Sequence, residues 1–334
     1  MTPEHAAMLL IVCAIVLYAI FGGADFGGGV WDLLATGPRR EAQREAIGLA
    51  MGPVWETNHV WLIFALVALF TCFPPVFAKL SIALYFPLTF ALVGIIARGA
   101  AFAFRGPSTR DLWIHRAWGQ VFGAASILTP FFFGAAAAGV ATGTFDWLRP
   151  FSWCVGLLAV SLCAQLAATF LCAETRAADL ENDFRLRAVA ATFAVATFGL
   201  IALLAAAKYA PAIFKGLVHA WPAVALAMLA GLVVLTLLWR RRFHSARVAV
   251  AIEAAAIFTG WYVAQAPVLR VDLGLQTLAA SPATIVTFLW IALVGSAVLI
   301  PSLLLLFTIF KRDVSFPPDP LRDARDADEN VGTI

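Results

Sequence analysis

Runs of about 20 apolar residues, the length that crosses a hydrocarbon core as a helix, recur along the chain and are separated by short polar stretches rich in arginine. They predict nine spans, at residues 6–33, 48–73, 80–104, 117–141, 151–173, 188–208, 220–239, 248–268 and 283–310. The short alternating segments that build a transmembrane barrel do not occur. The expected fold class is therefore all-α: a polytopic membrane protein with one helical domain over 1–310 and a polar tail over 311–334. The tail, ending PPDPLRDARDADENVGTI, reads as a disordered cytoplasmic end. ETRAADLENDFRLRA, at 174–188, reads as a solvated loop or a helix extension.

Composition supports the membrane reading. The chain is 62% hydrophobic and 13% charged, against about 25% charged residues in a soluble domain. So few charges could not cover a soluble helical core of this size. The net charge of +3 matters less than its placement. With the N-terminus outside, 18 of the 23 Lys and Arg fall in inside loops and the tail. The other five, Lys79, Arg149, Lys208, Lys215 and Arg270, fall outside. That alternation predicts an outside N-terminus and a cytoplasmic C-terminus. MTPEH lacks the basic segment of a cleavable signal. The five cysteines lie in apolar stretches without CxxC spacing, which points to neither a disulfide framework nor a zinc site.

Against this background the buried carboxylates stand out. ADFGGGVWDLL (24–34) places Asp25 and Asp32 around a triple glycine, and VWETNHVW (54–61) places Glu56, Asn58 and His59 at the start of the next apolar run. A charged side chain deep in a bilayer costs at least ~2.5–3.5 kcal/mol, and desolvation disfavours the charged form of a carboxyl. Asp25 is expected roughly 10–13 Å and Glu56 roughly 12–18 Å from the cytoplasmic ends of their spans, at 1.5 Å per residue. Consecutive spans with a short connection pack antiparallel, so both acids are expected on one interface in the cytoplasmic half. Two readings stay open: each acid hydrogen-bonds a neighbouring helix, or the two handle protons or ions.

His59 follows Glu56 by three residues, half of an ExxH metal pair, but no second such pair occurs. A cross-helix hydrogen bond or a place on a proton path suits it better. Arg98 ends the third span and either partners Asp25 or Glu56 or anchors the helix to headgroups. Glu253, two turns from Arg247, reads as snorkelling or pairing near the cytoplasmic face; Gln120, Gln165 and Gln265 are further polar residues in spans. Trp31, Trp55, Trp61 and other tryptophans near span ends suggest an aromatic belt. Gly22, Gly23, Gly27, Gly28 and Gly29 include GxxxG spacing for close helix approach, and so many glycines also weaken a helix.

ADFGGGVWDLL followed by GPVWETNHVWLIFALVALFTCFPPVFA resembles subunit II of the cytochrome bd-type quinol oxidases. IIARGAAFAFR, GQVFGAASILTPFFFGAAAAGVATG and GWYVAQAPVL resemble later parts of that subunit in order. The compact length and the WETNH string are similar to the cyanide-insensitive branch. The resemblance implies a heterodimer in the bacterial cytoplasmic membrane. In it a partner subunit I holds the b and d haems, oxidises quinol and reduces oxygen to water with cytoplasmic protons. It further implies that this chain binds no haem or metal itself and has no catalytic residue of its own. Some members hold a structural quinone or lipid, a small accessory subunit can be present, and no nucleic acid is involved. Asp25 and Glu56 match the family's acidic positions, where other members have aspartate for Glu56, and are implied as proton-route acids. His59, Asn58, Arg98, Trp55 and Trp61 are implied as supporting groups. A proton-coupled solute transporter is the alternative, expected to show repeats and broken helices around a midplane site; a purely structural scaffold is a third reading.

Overall fold

The structure, a computed structural model, describes residues 2–51, 55–104, 112–175, 177–271 and 278–313. All regular secondary structure among them is helical: α1 (Pro3–Leu33), α2 (Arg40–Met51), α3 (Trp55–Cys72), α4 (Pro74–Ala83), α5 (Tyr85–Phe104), α6 (Leu112–Ala141), α7 (Pro150–Glu174), α8 (Ala178–Tyr209), α9 (Pro211–His219), α10 (Trp221–Trp239), α11 (Phe243–Val271) and α12 (Pro282–Asp313). Prolines open α1, α4, α7, α9 and α10 in their first two positions. There the missing N–H has no intrahelical acceptor to lose.

Among the described residues eight helices are long and apolar enough to cross a membrane: α1, α5, α6, α7, α8, α10, α11 and α12. α3 and α4 form a bent pair at 119°, which makes nine crossings if the pair is one span. The bend falls at Phe73, before Pro74 and Pro75. Two successive prolines supply no N–H to the preceding turn and clash with its carbonyls, so the chain leaves its axis there. The protein is a multi-pass membrane protein with the expected all-α fold.

Two boundaries differ from the hydropathy reading, one open alternative is decided, and one helix is additional. The expected span 48–73 is two helices, because α2 ends at Met51 and α3 begins at Trp55. α2 buries Gln43, Ala46 and Ile47 and exposes most of its remaining residues, a one-sided pattern too polar to cross a bilayer. The span expected from 80 begins at Tyr85, after α4. The stretch 174–188 is largely a helix extension, because α8 starts at Ala178. α9, unforeseen, seats Ile213 in a cluster with Phe151 and Ala206.

α7 is the central post. Its residues Leu166, Ala167, Ala168 and Leu171 are buried, and it packs against α1, α6, α8 and α11. α12 lies at the edge against α1 and α3, with Trp290, Ile291, Leu293 and Val294 exposed, as suits a helix facing acyl chains. At one end of the bundle, polar clasps join the loops. Arg39 donates twice to Asp183 (2.9 and 2.7 Å), which holds the guanidinium's pKa above its ordinary value. Gln43 also donates to Asp183 (2.8 Å), Arg187 to Gln43 (2.7 Å), Arg241 to Glu181 (2.9 Å) and Arg247 to Glu174 (2.7 Å).

Candidate functional site

α1 crosses α6 and α7 closely enough that a side chain has no room at two of its glycines. A Cβ on Gly27 would collide with the carbonyl of Cys163 and come within 2.7 Å of Ala167 Cβ; one on Gly29 would collide with Ser126. The glycine run therefore serves close approach, as the spacing suggested. The weakening it imposes does not break the helix, because α1 continues through all five glycines to Leu33.

That approach places Asp25 in the interior, 2% exposed, facing an equally buried Arg98 on α5. Arg98 Nη2 donates to Asp25 Oδ1 at 2.7 Å and to the Asp25 carbonyl at 3.2 Å, while its Nε donates to Ser126 Oγ at 3.0 Å. The Ser126 hydroxyl gives its own proton to the Phe122 carbonyl (2.7 Å), which leaves its lone pairs for the arginine. The Phe26 and Phe122 rings cover the guanidinium at 5.2 and 4.8 Å from its carbon, a favourable arrangement for a desolvated cation.

Of the readings left open for Arg98, pairing with Asp25 is the one observed, and headgroup anchoring is not. Arg98 sits six residues before the end of α5 at Phe104, about 9 Å along the helix. A buried ion pair of this kind offsets desolvation only where further hydrogen bonds satisfy the remaining donors; Ser126 and the Asp25 carbonyl accept two of them here.

The other Asp25 oxygen, Oδ2, is buried without a hydrogen-bond partner, as are Tyr18 Oη and His59 Nδ1. These three atoms belong to neighbouring rings and helices. The His59 ring on α3 lies 6.0 Å from that of Tyr18 and 6.4 Å from that of Phe26, both on α1. α3 thus meets α1 beside Asp25, with Asn58 buried and Trp61 packed on the Tyr18–Phe26–Cys163 cluster. His59 makes contact across helices through its ring, tilted against Tyr18 and T-shaped to Phe26. The side chains of Trp55 and Glu56 lie outside the described residues.

Tyr18, Ser126, Phe26 and Phe122 were not singled out from sequence. Tyr18 carried a usable signal, since it precedes Asp25 by seven residues, two helical turns on the same face. Ser126 carried none. Trp31, read as part of an interfacial belt, is instead buried: its Nε1 donates to the Ala164 carbonyl at 2.7 Å, tying α1 to α7. Glu253 does not snorkel. It is 4% exposed and accepts from Gln165 (2.8 Å), while Arg247 pairs with Glu174. Among the described residues no group of three or more His, Cys, Asp or Glu side chains could hold a metal ion.

Comparison with known proteins agrees with this architecture. Residues 3–310 match the family model described as cytochrome bd terminal oxidase subunit II. Cytochrome bd ubiquinol oxidase subunit 2 of Bacillus subtilis is 30% identical over 126 residues, 38% of this chain and 36% of the relative. Cytochrome bd-I ubiquinol oxidase subunit 2 of Escherichia coli K12 is 27% identical over 171 residues, 46% of this chain and 44% of the relative. The matched region thus spans less than half the length of these curated relatives. In fold, the chain superposes on the bd oxidase from Geobacillus thermodenitrificans with a TM-score of 0.73 at 21% identity, covering 94% of this chain and 100% of that one. With the family model covering nearly every helix described above, the chain belongs to the cytochrome bd terminal oxidase subunit II family.

Proposed function

We propose that this chain is the haem-free subunit II of a membrane quinol:oxygen oxidoreductase, paired with a haem-bearing subunit I. In this reading Asp25 and Glu56 lie on the route that brings cytoplasmic protons toward the oxygen-reducing site, and the N-terminus faces outward. Haem chemistry belongs to the partner. The residues of this chain fix a carboxylate, orient it and keep buried polar atoms beside it.

The observation that carries the reading is the asymmetric state of Asp25. One carboxylate oxygen is fixed by Arg98, and the other is buried without a partner, as are polar atoms of Tyr18 and His59, whose rings pack together where α3 meets α1. Buried polar groups without a protein partner are the ones that recruit ordered water, and a water beside a carboxylate gives protons a place to hop. α1 runs unbroken past Asp25, unlike the interrupted helices that frame a transporter's midplane site.

The test is oxygen consumption by the purified complex with quinol as donor. Asp25→Asn and Glu56→Gln are each expected to slow turnover by about tenfold, a barrier change of ~1.4 kcal/mol; haem absorbance should be unchanged for Glu56→Gln, while Asp25→Asn should also lower thermal stability because Arg98 is left without its countercharge. Unchanged turnover across several pH values would return both acids to packing roles.

A further inference from the structure

Glu253 presents a problem that the Asp25 site does not share. It is buried at 4% exposure on α11, and among the described residues no Lys, Arg or His makes an ion pair with it. Among the described residues, the groups seen against its carboxyl are uncharged. α7 presents Gln165, whose Nε2 donates to Glu253 Oε2 at 2.8 Å and to Thr192 Oγ1 of α8 at 3.1 Å. α10 presents Gly231, so close that an added Cβ would stand 2.8 Å from Glu253 Oε1. Arg247, on the same helix, is occupied by Glu174 and stacked 4.9 Å over Phe170. α1 and α9 also pack on α11 and contribute no ion pair to this carboxyl. A bare carboxylate in such a place would have nothing to neutralise it.

A second observation points the same way. Gln165 is fully buried, both hydrogens of its amide are directed to acceptors, and its carbonyl oxygen Oε1 has no donor. Thr192 cannot serve it, because that hydroxyl gives its proton to the Ala188 carbonyl at 2.8 Å. The same amide thus has a missing donor next to a carboxyl with a missing countercharge. One proton answers both: a neutral carboxylic acid keeps an acceptor oxygen for Gln165 Nε2 and offers an O–H to Gln165 Oε1.

We propose that Glu253 is a resident proton-binding site of this chain, held as the neutral acid in a two-bond ring with the Gln165 side-chain amide. The ring ties α11 to α7, with Thr192 of α8 as a third member and Gly231 of α10 making room for the second carboxyl oxygen. It stands apart from Asp25. On α7 the residues that meet Gly27 of α1, two positions after Asp25, are Cys163 and Ala167, whereas Gln165 is two positions away from each, roughly 200° around the helix. The proposal does not depend on the proton route suggested for Asp25 and Glu56.

Difference infrared spectroscopy of the purified complex, in H2O and D2O at neutral pH, tests it directly. Glu253→Gln is expected to remove a protonated-carboxyl C=O band that shifts down in D2O; Gln can form the equivalent amide–amide ring, so the bundle is retained. Loss of carboxylate bands instead would overturn the proposal. The pH dependence of thermal stability gives a second readout. A carboxyl neutral in the fold and ionised when exposed stabilises fully in acid and less as pH rises, so the wild type should lose more stability toward alkaline pH than Glu253→Gln. Equal slopes would refute it. Gln165→Met keeps the volume while removing the amide, and should move the Glu253 band to higher frequency; an unmoved band means the ring does not exist.

Discussion

Asp25 and Glu253 face the same difficulty, a carboxyl inside a membrane bundle, and the protein meets it in two ways. Asp25 is matched by a full cation, Arg98, which is itself held by Ser126 and flanked by two aromatic rings. Glu253 is matched by a neutral amide and a glycine. The first arrangement fixes a charge in place and leaves one oxygen open; the second closes on itself. A carboxylate retained with a spare lone pair can exchange hydrogen bonds with water, whereas one joined to an amide in a ring acts as a clamp. Position in the bilayer therefore does not decide what a buried acid does; the partner on the facing helix does.

Removing one partner from the charged site should have the largest effect. Arg98→Met leaves Asp25 buried and uncompensated, at an expected cost of ~3–5 kcal/mol, read as thermal unfolding of the complex. Adding Asp25→Asn should recover a large share of that loss, and failure of the double variant to recover would mean that Arg98 acts through packing. Next comes the helix crossing that sets up the pair. Gly27→Ala drives a methyl into the Cys163 carbonyl, a backbone atom that cannot rotate away, and should cost ~1–3 kcal/mol as overpacking. At the neutral site, Glu253→Ala leaves the Gln165 amide unsatisfied and should cost about 1–3 kcal/mol, with Glu253→Gln well below it. The smallest effect is expected for Arg39→Ala at the exposed clasp with Asp183, where screening by water and salt leaves little to lose; any change should shrink further at high ionic strength.

Much of the fold was legible because hydropathy and proline placement act locally. Most of the spans and the close-approach glycines are written in adjacent residues, whereas the bend before Pro74 and Pro75 came only with the structure. α2 and α9 escaped because a 12-residue and a 9-residue helix fall below the length at which apolar runs announce themselves. The site was legible in part. Asp25 stood out as an intramembrane acid, and Arg98 was on the short list of its partners, but only the packing of α5 against α6 and α1 chooses between a bundle interior and a headgroup. Glu253 was misjudged for the same reason. Arg247 is near it in sequence, but a carboxyl is satisfied by what faces it across helices, and Gln165 lies 88 residues away. Trp31 resembled its belt-forming neighbours until the Ala164 carbonyl was seen opposite its ring nitrogen.

The keyed seating of α1 has a mechanical corollary. With Gly27 lodged on one neighbour, Gly29 on another and the Trp31 indole pinned to a main-chain oxygen, turning or sliding the helix would drive it into its neighbours and break that bond. Asp25 is consequently a stationary post: any change in its hydrogen bonds has to come from the side chains around it, with the scaffold itself standing still.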